Sequence, residues 1–79
     1  MITPGQHAVM RADIGSITDR SHLELKIRVL TVQIEALISA SRVRSLQPFT
    51  ADDADELRSD LAVHVDLMEF AVMRLRGLP

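Results

Sequence analysis

Between Leu23 and Leu37 apolar and polar residues alternate in a way that fits two secondary structures. Leu23, Leu25, Ile27 and Val29 alternate with Glu24, Lys26 and Arg28, and after a one-residue slip Leu30, Val32, Ile34 and Ala36 alternate again. Two half-buried strands would give this pattern. A strand pair, however, needs a turn near Val29-Leu30, and no Gly, Asn, Asp or Pro stands there to make one. A single strand of this length would far exceed the usual size of about five or six residues. Read in sevens, LELKIRV, LTVQIEA and LISASRV are three versions of one unit, and the slip is the first alternation displaced by one unit. Leu23, Ile27, Leu30, Ile34 and Leu37 then follow steps of four and three along one helical face. The segment is a helix, expected over residues 17–46, with Glu24 and Arg28 one turn apart in the favourable order.

Its start has two candidates: Ser21 with Glu24 as a capping box, or Ser16 with Asp19 earlier. Gln47-Pro48 ends it, and the short connection SLQPF predicts that the next helix folds back antiparallel. That second helix is expected over residues 50–76. Thr50 is its N-cap, acidic residues fill its first turn, and Arg74 and Arg76 lie in its last. Gly77 is placed as a left-handed C-cap. Leu57, Leu61, Val65, Met68, Val72 and Leu75 form its main apolar stripe. Ahead of both, within residues 1–15, Thr3-Pro4-Gly5-Gln6 has the form of a helix start and predicts a short helix or arm ending near Gly15.

The long helix carries a second apolar stripe, Leu25, Val29, Val32, Ala36, Val43 and Leu46. It lies about 150° around the helix from the first. Polar residues occupy the margins, Lys26 and Gln33 on one edge and Arg28, Glu35 and Arg42 on the other. A two-helix hairpin covers only one of these faces. Leaving several large aliphatic side chains bare would forgo on the order of 10 kcal/mol, as much as a small domain's whole stability. A cover is therefore expected: the N-terminal segment, through Ile2, Val9, Met10, Ile14 and Ile17, or a second copy of the chain, or a different protein. A segment of about ten residues spans only ~15 Å of a helix nearly 40 Å long, which favours a homodimer. On the second helix Val63, Leu67 and Phe70 stand behind the main stripe and join the candidate partner surface. The expected architecture is all-α, one domain over residues 1–79: an antiparallel helical hairpin with an N-terminal helix or arm, dimerising into a four-helix bundle.

Composition narrows the chemistry. Hydrophobic residues make up 47% of the chain and aromatic ones 3%, so the core must be aliphatic, with four methionines as adaptable fillers. The absence of cysteine excludes disulfides, thiolate metal sites and thiol catalysis. A net charge of −2 exerts no strong pull towards nucleic acid or anionic lipid. Pro4, Gly5 and Gln6 stand where a signal peptide needs a basic start and an apolar run. Gln33, Glu35, Asp66 and Glu69 interrupt the apolar regions that a membrane span would need. A small complete cytoplasmic protein is expected.

His7, His22 and His64 lack metal-ligand spacing, although His64 stands one turn after Asp60, where an Asp–His pair can form. The run DDADE lacks the glycine and spaced ligands of a calcium loop and serves as a helix's first turn. Arg42/Arg44 and Arg74/Arg76 are expected to be neutralised by acidic residues at the opposite helix ends, Asp52, Asp53 and Asp55 for the first pair and Asp19 and Glu24 for the second. No phosphate loop, nucleophile elbow or catalytic carboxylate pair appears, and no cofactor is expected. The expectation is a non-catalytic protein–protein interaction module, an adaptor or regulator of the kind frequent in phages and mobile elements. A small nucleic-acid-associated regulator is the alternative. Third comes a small all-helical enzyme of the chorismate mutase type, which this chain matches in length and helicity without the required cluster of cationic side chains.

Overall fold

The computed structural model describes residues 2–44 and 50–78. They form three helices and no strand: α1 (Pro4–Ser16), α2 (Arg20–Arg44) and α3 (Ala51–Gly77). The connection 45–49, with Leu46 of the second stripe, lies outside the described residues, so the hairpin link itself is not described.

Each helix starts where side chains satisfy its first backbone N–H groups. At α1, Thr3 accepts from the Gln6 N–H while Gln6 accepts from the Thr3 N–H, and Pro4 occupies the first turn. Thr50 and Asp53 make the same reciprocal box at α3. Neither expected box starts α2. Asp19 caps it, accepting the His22 N–H on its carboxylate at 2.9 Å and the Leu23 N–H on its carbonyl at 3.0 Å. The long helix therefore begins at Arg20 and not at Ile17.

Ile17 has a different task. It is extended, buried at the corner between α1 and α2, and its carbonyl accepts a 2.8 Å hydrogen bond from Arg74 of α3. Gly77, expected to end α3 in a left-handed conformation, is helical, and no described glycine has positive φ. Leu78, extended, closes α3 instead. Gly15 likewise does not end α1, which runs one residue further.

The order of the helices in space follows from α3. Arg20 near the start of α2 donates to the Leu75 carbonyl late in α3, while Leu37, Ile38 and Ser41 line a shallow cleft with Ala54, Leu57 and Leu61. α2 and α3 thus run side by side in opposite directions. Ile2 meets Asp60, His7 meets Asp66 and Ile17 meets Arg74, so α1 lies along α3 in the same direction. α1 and α2 scarcely touch except where the chain turns between them. Cα extents of 49 × 23 × 13 Å match this arrangement. The 23 Å width fits three helices side by side at the usual interaxial spacing of about 8–10 Å.

The core joins Ile14 and Ile17 to Leu23 and Leu30 of α2 and to Leu67 and Ala71 of α3. Leu23 and Leu30 are wholly buried, as the first stripe of α2 requires. On α3 the expected stripe is rotated. His64, Leu67 and Ala71 form the buried seam, whereas Leu57, Leu61, Met68, Val72 and Leu75 are half-buried and Val65 is exposed. A helix with a neighbour on each flank buries most deeply the residues between its two lines of contact. Of the expected stripe, Leu57 and Leu61 line the cleft with α2.

Gly15 sits against the Phe70 ring, and a Cβ built there would lie 3.7 Å from the nearest ring carbon, an ordinary contact. Because glycine weakens a helix relative to alanine by about 0.5–1 kcal/mol, Gly15→Ala is expected to raise stability by up to that amount in urea unfolding. A loss of stability would mean that α1 must approach α3 more closely than this structure shows.

Candidate functional site

Two features stand out on this frame: a polar cluster between α1 and α3, and the bare outer side of α2. The cluster centres on Asp66. His7 donates from Nε2 to its carboxylate at 2.7 Å, and Arg11 donates from one guanidinium nitrogen to both oxygens at 3.0 and 2.9 Å. The Arg11 guanidinium also lies 4.2 Å above the centre of the Phe70 ring. The two hydrogen bonds, His7's first and then Arg11's, hold the Asp66 carboxyl below its ordinary range, against a smaller opposing effect of burial. His7 and Arg11 are one turn apart on α1, Asp66 and Phe70 one turn apart on α3, so the helices present matching pairs. The cluster is an intramolecular clasp. No sequence pattern links residues 55–59 positions apart, and His7 alone carries no signal of it.

His64 is buried, and its Nδ1–H donates to the Asp60 backbone carbonyl at 2.7 Å, not to the Asp60 carboxylate. That carboxylate accepts the backbone N–H of Ile2. The pair is thus a satisfied core contact. Among the described residues no group of three or more His, Asp or Glu side chains is placed to hold a metal ion, and no helix is long and apolar enough to cross a membrane. Four of the basic residues are spent locally. Arg11 is held by Asp66, Arg20 and Arg74 donate to backbone carbonyls, and Arg20 and Arg58 pair with Glu24 and Asp55 on their own helices. Arg74 therefore meets the Ile17 carbonyl in place of the expected Asp19 or Glu24 carboxylate.

The outer side of α2 is the second feature. Leu25 is 57% exposed, Val29 41%, Val32 63% and Val43 60%, and Ala36 is exposed between them. α1 does not cover this stripe, because it is clasped to the far flank of α3. The expected extension of the surface onto α3 is corrected: Leu67 is wholly buried, and Val63 and Phe70 pack on the core beneath α1. The N-terminal segment, one of the expected covers of α2, packs on Phe70 instead. Accessible surface totals 5521 Å², against roughly 4800 Å² expected for a folded monomer of this mass. Compared with protein-family models, curated proteins and solved structures, the chain matches none.

The clasp has an acid dependence. Asp66 has a lower pKa folded than unfolded, so its contribution is complete above the ordinary carboxylate pKa of about 4. It is lost as pH falls through the lowered folded value. The carboxylate is 40% exposed, so solvent screening limits the pair to about 1 kcal/mol or less. Asp66→Asn should remove this part of the acid dependence and quicken hydrogen exchange in α1 more than in α2 and α3. Unchanged exchange in α1 would show that apolar contacts alone hold it.

Proposed function

We propose that the protein is a small helical interaction module whose working surface is the outer face of α2. Its first partner is a second copy of itself, and the resulting homodimer brings together four long helices from two antiparallel α2–α3 hairpins. Catalysis and cofactors play no part in this reading, and the role is that of an adaptor or regulator.

One observation carries it: Leu25, Val29, Val32 and Val43 project from one line of α2, and among the described residues no element covers them. Contiguous apolar surface of this kind marks a site of association. The second observation is the order of the helices: α1 and α2 lie on opposite flanks of α3 and scarcely touch. Stable domains bury their apolar faces between packed layers, and a single row of helices leaves its edge helix unpaired on the outside. A binding face for nucleic acid would instead need clustered basic and polar side chains, whereas on this face Val29 and Val32 separate Arg28 from Gln33.

The test is molar mass by light scattering across a concentration series. The chain is expected to approach the mass of a dimer as concentration rises. Val29→Glu together with Val32→Glu is expected to hold it at the monomer mass with its helical circular dichroism retained. A monomer at every concentration, or a dimer unaffected by the two substitutions, would contradict self-association through this face.

A further inference from the structure

We infer that α2 pairs antiparallel with α2 of a second copy in one register, with Val29 against the partner's Val32, Leu25 against the partner's Ala36, and Arg28 beside the partner's Glu35. This rests on the self-association proposed above and adds to it the orientation and register.

The apolar block itself sets the first constraint. Leu25, Val29, Val32 and Ala36 are spaced four, three and four residues apart, the spacing of a knobs-into-holes seam. The next seam position is Ser39, which separates the block from Val43. Reversed end to end, the block has the same spacing, and its midpoint falls between Leu30 and Thr31. A two-fold axis there makes it self-complementary, as an isologous interface requires. The axis also sets the largest side chain, Leu25, against the smallest, Ala36.

Charge supplies an independent constraint. Arg28 and Glu35 stand on one margin of the seam, both exposed, and among the described residues neither makes an ion pair within the chain. In an antiparallel pair each margin meets its own copy. With the axis between Leu30 and Thr31, Arg28 and the partner's Glu35 are offset by about 3 Å along the helices. Side chains lean towards the N-terminus of their own helix, which closes this offset. The contact occurs twice, once on either side of the axis. The other margin brings Lys26 near the partner's Gln33, without like charges.

Other registers lose one constraint or both. Sliding by one seven-residue unit towards the C-terminus sets Val29 against the partner's Ser39 and Glu35 beside its own copy, with Arg28 towards the partner's Arg42. Sliding the same distance the other way sets Arg28 beside its own copy. A second slide towards the C-terminus offers Glu35 to the partner's Arg42, but Arg42 already interacts within its own chain. That slide also leaves Leu25 uncovered and puts Ser39 at the centre. A parallel pair places Arg28 near Gln33 and Glu35 near Ala40, with no ion pair.

Charge reversal tests the register. Arg28→Glu and Glu35→Arg, each alone, bring like charges together at both contacts and are expected to weaken dimerisation by about tenfold or more. An equimolar mixture of the two variants restores opposite charges in a heterodimer and should regain the affinity of the unaltered chain, as should the chain carrying both substitutions. Both sites are exposed, and circular dichroism of each variant verifies its fold. Single variants that dimerise as tightly as the unaltered chain, or a mixture that recovers nothing, overturn the register while the dimer stands. An unaltered chain that stays monomeric overturns the register and the self-association together.

Discussion

The contact on which this structure depends is the burial of one seam of α3, His64, Leu67 and Ala71, between two neighbours at once. α2 packs along one flank of that seam and α1 along the other, so the central helix is served on both sides. The arrangement carries a consequence for the flanking helices. Each has one neighbour only, and any apolar residue on its outer side must find cover elsewhere or stay wet. For α1 the outer residues include Val9, and for α2 they form a continuous line from Leu25 to Ala36. The surface proposed for association is therefore the complement of the core contact.

The position of α1 is what leaves that line bare. A helix of 13 residues is marginal by itself, and its place along α3 is set by polar contacts as well as by Ile14. Ile2 is tied to Asp60, His7 and Arg11 converge on Asp66, and the Ile17 carbonyl receives Arg74. These bonds join residues far apart in sequence and have directions that apolar burial lacks. An apolar helix alone could lie on either flank of the α2–α3 pair. Matched donor and acceptor positions select the α3 flank.

Much of the architecture was legible from local patterns. The Thr3/Gln6 and Thr50/Asp53 boxes, the buried Leu23 and Leu30 and the two-sided character of α2 all depend on spacings of three or four residues, which a sequence displays directly. The face of α3 was not legible in the same way. Apolar residues surround most of that helix, so the pattern admits several buried seams, and the true one is decided by where two other helices lie. Val63, Leu67 and Phe70 looked like outer residues for that reason and proved to be inner ones. The Asp66 clasp was hidden because its three members are recognisable only once α1 is docked. At α2, Asp19 prevailed over Ser16 as cap because Ser16 still belongs to α1 and the corner at Ile17 has to end before the helix can begin.

The central claim is that a second copy covers the outer face of α2 in the stated register, and methyl–methyl contacts in solution test it most directly. Leu25 and Ala36 are eleven positions apart on one helix, about 16 Å along its axis, too far for a nuclear Overhauser effect within one chain. In the proposed dimer they are neighbours across the two-fold axis. A mixed sample of isotopically labelled and unlabelled chains is predicted to show an intermolecular effect between the Leu25 and Ala36 methyls. Resolved methyl signals with no such effect at concentrations where the dimer dominates, or a contact from Leu25 to Val43 in its place, would contradict the account.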